Sequence, residues 1–157
     1  MKLLKRVLSW LLVCCLIMGM VPSTVFAAEV VASGTCGENL TWTVDDAGVL
    51  TISGTGEMDD YGPSTETVFS PEVSYSNQPW GVHRASITSI VIESGVTGIG
   101  NYAFCNCKSL TEVSIPDTVK RIGMGVFSMD SALKSVAIPE SVVSIGPGAF
   151  SRCSAVT

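Results

Sequence analysis

The feature that most constrains the fold is an internal repeat with a period of 23 residues. Complete units run over residues 99–121 and 122–144, and a further unit starts at Ile145. The units align without insertions, which is typical of architectures that stack one small structural unit on the next. The aligned positions include Ile99, Ile122 and Ile145; Gly100, Gly123 and Gly146; Phe104, Phe127 and Phe150; Leu110, Leu133 and Val156; Val113 and Val136; Ile115 and Ile138; and Pro116 and Pro139.

The repeat also extends upstream of these units. Ile87, Ile90 and Ile92 precede Leu110, Val113 and Ile115 by one period of 23 residues. The array therefore starts near Ile87 and holds just over three repeats.

Each repeat has two halves with different patterns. Val113 and Ile115 alternate with polar residues, which predicts a strand with one buried face, and Pro116 ends it because proline cannot donate to a ladder. The segment from Ile99 to Phe104 predicts a tight return with a short helical or 3₁₀ turn. One unit cannot bury its own apolar face, so the units must stack. The predicted fold is a solenoid with a sheet of parallel β-strands on one side.

The repeat unit resembles the BspA-like class of bacterial leucine-rich repeats. Mild departures are Val126 for alanine, Asp130 for cysteine and Glu93 for proline. The resemblance implies a leucine-rich-repeat solenoid in an exported or surface-attached protein, and some members of the class bind host extracellular-matrix proteins or other cells. It is carried by Ile99-Gly100, Ala103-Phe104, Cys107, Leu110, Val113, Ile115-Pro116 and Val119, and, ahead of the array, by Gly34-Thr35-Cys36-Gly37 and Pro79-Trp80.

The segment from Leu40 to Ser53 predicts an antiparallel hairpin. Leu40, Trp42 and Val44 share one face, and residues 45–48 form a turn that ends in glycine. We expect residues 29–60 to be a small module that caps the solenoid, residues 61–86 to be a loop or linker, and residues 87–157 to be the repeats.

Residues 1–28 have the layout of a secretory signal peptide. A basic start with Lys2, Lys5 and Arg6 precedes an apolar run over 7–20, and cleavage is expected after Ala27 or Ala28. The run is shorter than the roughly 20 residues that span a bilayer. The predicted location is therefore secreted or at the cell surface, and only the signal peptide contacts the membrane, during export.

The charge after cleavage argues against a nucleic-acid partner. The chain has 9 basic and 14 acidic residues, and removing three of the basic ones leaves 6 − 14 = −8. Phosphate binding needs a cationic face.

Four cysteines remain after cleavage: Cys36, Cys105, Cys107 and Cys153. Cys107 and Cys153 lie two repeats apart, or roughly 10 Å at the usual strand spacing, which is too far for a disulfide. We interpret the four as small buried residues. The spacing of Cys105 and Cys107 is not that of a zinc site, and no metal or cofactor is expected.

Catalytic signals are weak. Ser131 and Lys134 match S-x-x-K, but the S-D-N and K-T-G companions are absent. The pairs Asp45-Asp46 and Asp59-Asp60 are turn neighbours rather than carboxylates held across a cleft. His83 has no nearby nucleophile in the sequence. We therefore predict that the protein is not an enzyme.

A binding face is easier to place, because strand residues between the buried ones point outward. The set lacks aromatic anchors, so we expect weak binding to an extracellular protein or cell-surface ligand, strengthened by multivalency. Its members are Thr88, Ser89, Val91, Thr111, Glu112, Ser114, Lys134, Ser135 and Ala137.

Other roles fit the same sequence. The array can be a structural spacer in a larger surface protein, or the non-catalytic part of an enzyme whose catalytic domain lies elsewhere. Because the sequence stops at Thr157, where another strand is due, we expect a fragment of a longer protein.

Overall fold

A computed structural model of the chain describes residues 27–62 and 77–156. The predicted signal peptide lies almost entirely outside these residues, as does most of the predicted loop before the array. The regular secondary structure of the described part consists of β-strands and one 3₁₀ helix at Gly81–His83, and turns and loops make up the rest. The strands are β1 Val30–Gly37, β2 Leu40–Asp45, β3 Val49–Gly54, β4 Gly56–Glu57, β5 Ser89–Ile92, β6 Val96–Ile99, β7 Glu112–Ser114, β8 Arg121–Ile122 and β9 Ser144–Ile145.

The strands form two sheets. The large sheet has the order β1-β2-β3-β5-β7 and the small sheet has the order β4-β6-β8-β9. Strands β5 and β7 are parallel and lie one repeat apart in register, since Ile90 pairs with Val113. Strands β6, β8 and β9 are parallel in the same way. The expected parallel strands are thus present in β5 and β7, and the small sheet is an addition that the repeat pattern did not predict.

The predicted hairpin is present as β2 and β3, which pair antiparallel with Trp42 opposite Ile52. Gly48 has φ 81° in its turn, and a β-carbon there would lie 2.3 Å from the carbonyl oxygen of Ser86. Glycine is therefore required by both conformation and space. Strand β1 adds a third antiparallel strand that was not predicted.

The N-terminal strands join the repeat array directly. β3 pairs in parallel with β5, and β4 pairs in parallel with β6. Residues 49–57 therefore contribute one strand to each sheet, as a repeat unit does. Leu50 and Ile52 on β3 are fully buried in the same apolar core as Ile90 on β5.

The return segments contain a column of aromatic rings. Trp80, Phe104, Phe127 and Phe150 stack in turn, with centroid separations of 5.7, 5.7 and 5.4 Å. Trp80 lies in the part of the chain expected to be a linker, yet it is fully buried and its indole N–H donates to the carbonyl of Ala103. It stacks on the first phenylalanine as each phenylalanine stacks on the next.

The return segments are turns, and the helical or 3₁₀ turn expected in them is not found between residues 100 and 111 or between 123 and 134. Two positions per repeat instead have left-handed backbone, which breaks any helical run. The first set is Tyr102, Gly125 and Gly148, and the second is Asn106, Met129 and Arg152.

The unit 122–144 has no strand at Val136 and Ile138, although the alternation of these residues predicts one. Val136 is half-buried and Ile138 is 38% exposed, whereas the equivalent Val113 is buried.

Candidate binding face

The outward face of the large sheet follows from the alternation of apolar residues. On β5, Ile90 and Ile92 are buried while Ser89 and Val91 are partly exposed. On β7, Val113 is buried between exposed residues. Because successive side chains point to opposite sides of a strand, burying one set commits the other to solvent.

Six of the predicted site residues lie together on two neighbouring strands and their starts. Ser89 is opposite Glu112, and Val91 is opposite Ser114. Thr88 and Thr111 precede β5 and β7, and the Thr111 hydroxyl donates to the carbonyl oxygen of Thr88 at 3.1 Å. This hydrogen bond joins the starts of the two strands.

The other three predicted residues are exposed, but they lie in the part of the unit 122–144 that has no strand. They are Lys134, Ser135 and Ala137. The repeat alignment places them beyond β7 at the same edge of the large sheet. The structure assigns them no ladder register with Glu112 or Ser114.

The prediction from the repeats missed the N-terminal half of this face. Thr51 is opposite Val91 across β3 and β5, and Thr43 is opposite Thr51 across β2 and β3. The row continues to Ser33 on β1. A second row joins Thr35, Thr41 and Ser53. The alternation of threonine with Trp42 and Val44 was the available signal, but only the parallel pairing of β3 with β5 puts these hydroxyls on the same face.

The large-sheet face is rich in hydroxyl groups and poor in charge. It carries Glu112 on β7, while both described tryptophans, Trp42 and Trp80, are buried. Hydroxyls donate and accept hydrogen bonds but bury little apolar area, so this face suits recognition through many weak contacts.

Three of the aspartates in the two acidic pairs accept hydrogen bonds from backbone N–H groups. The Asp45 carboxylate accepts the N–H of Val49 at 2.8 Å, and Asp46 accepts the N–H of Glu29 at 3.0 Å. Asp60 likewise accepts the N–H of Asn101 at 2.8 Å. These interactions stabilise turns and chain crossings.

The thiols are in surroundings that disfavour thiolate. Cys36, Cys105 and Cys107 are buried, Cys153 is half-buried, and all four are free. Burial raises the pKa of Cys36 and of Cys105 to about 12, with a smaller contribution from nearby carboxylates. The thiolate is the form of cysteine that attacks electrophiles and binds metal ions, so these thiols should react slowly. Among residues 27–62 and 77–156, no three histidine, cysteine or acidic side chains are arranged to hold a metal ion.

A comparison with known protein families identifies the repeat array. A family model described as a BspA type leucine rich repeat region (6 copies) matches residues 82–157. Residues 82–157 are a BspA-type leucine-rich repeat region. The sequence matches no protein of curated function.

Solved structures agree with this assignment. A leucine-rich repeat protein from Eubacterium ventriosum is 30% identical over 77% of this chain, with a TM-score of 0.59. A leucine-rich repeat protein from Bacteroides ovatus is 23% identical over 82% of this chain, with a TM-score of 0.50, and supports the fold alone. The chain spans 36% of the first protein and 33% of the second. Both matches cover a larger share of the chain than residues 82–157.

No helix in the described part of the chain is long and apolar enough to cross a membrane.

Proposed function

We propose that the protein is exported and acts outside the cell as a leucine-rich-repeat module that binds a protein partner and performs no chemistry. The observation that carries this proposal is the large sheet, whose five strands present one continuous outward face of hydroxyl-bearing residues. The family match adds the expectation that such a module recognises other molecules.

The architecture that we propose for this role is a solenoid with an N-terminal cap. Each BspA-type repeat is one turn, and β1–β3 cover the first turn. Parallel pairing of β3 with β5 supports the cap, because it satisfies the strand edge that the first repeat otherwise exposes. The caps of repeat proteins protect the apolar end of the stack in this way.

The proposed site comprises the predicted residues on β5 and β7 together with the hydroxyl rows of β1–β3. With no tryptophan or tyrosine at the surface of these strands, each copy binds weakly. Useful affinity at a surface then comes from several copies engaging at once.

Surface plasmon resonance against an array of immobilised extracellular-matrix proteins tests the binding proposal. Glu112→Lys reverses a charge on β7, the edge strand of the large sheet, and Glu140→Lys makes the same change outside the strands of this sheet. We expect Glu112→Lys to weaken binding to the responding matrix protein about tenfold, the usual effect of a misplaced charge, and Glu140→Lys to have little effect. Equal responses of both variants would favour the spacer role.

Export is tested by mass spectrometry of protein recovered from a bacterial culture medium. The proposal requires a mature N-terminus at Ala28 or Glu29, which places cleavage after Ala27 or Ala28. An intact Met1 in protein that stays inside the cell would overturn it.

A further inference from the structure

The start of strand β1 is tied to the turn between β2 and β3 by two hydrogen bonds. The backbone N–H of Glu29 donates to Oδ1 of Asp46 at 3.0 Å, and the backbone N–H of Asp46 donates to the carbonyl oxygen of Glu29 at 2.9 Å. Val30, the first residue of β1, is opposite Asp45 in the ladder. The Asp46 carboxylate therefore lies at the point where the chain enters the large sheet.

This contact is at the place where removal of the signal peptide is expected to create a new N-terminus. Cleavage after Ala28 converts the Glu29 nitrogen, an uncharged amide donor in the precursor, into an α-ammonium group beside Asp46. Cleavage after Ala27 places the ammonium group one residue earlier, about 4 Å from the Glu29 nitrogen. Either cut brings a positive charge close to the Asp46 carboxylate.

The residues around this position are acidic. Glu29 and Asp46 are joined by the hydrogen bonds, and Asp45 is the ladder partner of Val30, with its own carboxylate bonded to the N–H of Val49. The sequence has no lysine, arginine or histidine over residues 28–82. The new ammonium group is thus the one cation that this part of the sequence can supply, and neighbouring carboxylates favour its charged form.

We propose that Asp46 is the binding site for the α-ammonium group created by signal-peptide removal, and that this ion pair fixes the start of β1 in the processed protein. The inference rests on the export part of the proposed function. A hydrogen bond between two ionised groups is stronger than one from an amide. β1 is the outermost strand of the large sheet and has β2 as its one neighbour there. Processing therefore stabilises the edge of the outward hydroxyl face.

The test is an NMR pH titration of the α-amino group in two ¹³C-labelled chains, which start at Glu29 and at Ala28. Both chains are released from a fusion protein by a protease, so the measurement does not depend on export. In the chain that starts at Glu29, the pKa of the α-amino group should lie above its ordinary range of about 7.7–8.0. The chain that starts at Ala28 should differ less, because its ammonium group is farther from Oδ1 of Asp46.

Variants identify the carboxylate that is responsible. Asp46→Asn keeps an oxygen that accepts from residue 29 but removes the charge, and it should raise the acid dissociation constant of the α-amino group about two- to threefold, the scale of an exposed ion pair. Glu38→Gln removes an equal charge from the exposed turn at the far end of β1 and should leave this constant unchanged. Glu29→Ala removes the carboxylate of the terminal residue itself and should have a smaller effect than Asp46→Asn.

The proposal is overturned if the pKa of the α-amino group is the same in the wild type and in Asp46→Asn. It is also overturned if Glu38→Gln or Glu29→Ala lowers this pKa as much as Asp46→Asn does, since the general acidity of the region would then be the cause. A failure of export has a different signature. Absence of the processed chain from the culture medium would overturn export and with it the role of the site, whereas an ordinary pKa in processed protein recovered from the medium would overturn the site alone.

Discussion

The backbone N–H of Cys107 donates a 2.7 Å hydrogen bond to Oδ1 of Asp130, the residue at the same position one repeat later. The Asp130 side chain is fully buried, and its Oδ2 has no hydrogen-bond partner. Burial raises the pKa of Asp130 to about 8, although the N–H groups of Cys107 and Asn106 oppose the shift. The folded protein therefore holds a mainly protonated acid in its core at neutral pH, where the neighbouring repeats have cysteine.

The stability of the protein should fall as pH rises through the window set by Asp130. Its pKa is about 8 in the folded chain against an ordinary value of 3.8, so the folded state retains a proton that the unfolded state releases. The stabilisation is complete below about pH 4 and is lost as pH rises through about 8, at up to about 1.4 kcal/mol per pH unit. Urea denaturation at intervals between pH 4 and 9 measures the slope.

Asp130→Asn isolates this contribution from other titrations. Asparagine retains an oxygen to accept the N–H of Cys107 but has no proton to lose, so the falling slope should disappear. Asp117→Asn, at an exposed turn, should retain the wild-type slope. The explanation fails if Asp130→Asn and the wild type have the same pH dependence.

The parts of the fold that the sequence predicted are those in which one residue pattern recurs. Alternation at Ile90 and Ile92, repeated at Val113, identified the parallel strands of the large sheet. The small sheet was missed because β8 and β9 have two residues each, too few to show alternation. Their pairing is imposed by the stacking of the repeats.

The sequence pattern did not predict strand β1, because its residues are chosen by packing against the neighbouring strand. Its small residues give no pattern of large apolar side chains, but a β-carbon on Gly34 would lie 2.8 Å from Nε1 of Trp42. The small residue is required by a ring on the next strand, which a local pattern cannot reveal. Half of the candidate face was missed with it, because the hydroxyls of β1–β3 join the face only through the pairing of β3 with β5.

Alanine substitution in the aromatic column should reduce stability most at the ring in its middle. Phe127 is fully buried and stacks on Phe104 at 5.7 Å and on Phe150 at 5.4 Å. Phe127→Ala should lower the free energy of unfolding by about 3–5 kcal/mol, the usual cost of removing a core phenylalanine. Phe150→Ala should cost clearly less because Phe150 is half-buried. Urea denaturation followed by circular dichroism measures both, and equal losses would contradict the expectation that burial of the ring sets the cost.

Met129 should be a site of stabilising substitution. Its φ is 69°, a left-handed conformation that costs a methionine about 1–2 kcal/mol, and the equivalent position one repeat earlier holds Asn106. Asparagine tolerates this conformation better, so Met129→Asn should raise the free energy of unfolding by up to about 1 kcal/mol. Met124→Asn replaces a neighbouring methionine that is not left-handed and should bring no gain. A stability increase in Met124→Asn alone would contradict the conformational argument.

The folded structure should protect the four thiols from chemical modification, and the more buried thiols should be protected more. Cys153 is half-buried, whereas Cys36, Cys105 and Cys107 are buried, and burial raises the pKa of each. Reaction with a thiol reagent at pH 8 should modify Cys153 first and slowly, because little thiolate is present. The other three should react only after denaturation, which brings the total for a chain without residues 1–28 to four modified thiols. Cys153→Ser should remove the slow native phase and no other. Finding only two reactive thiols in denatured, unreduced protein would instead reveal a disulfide.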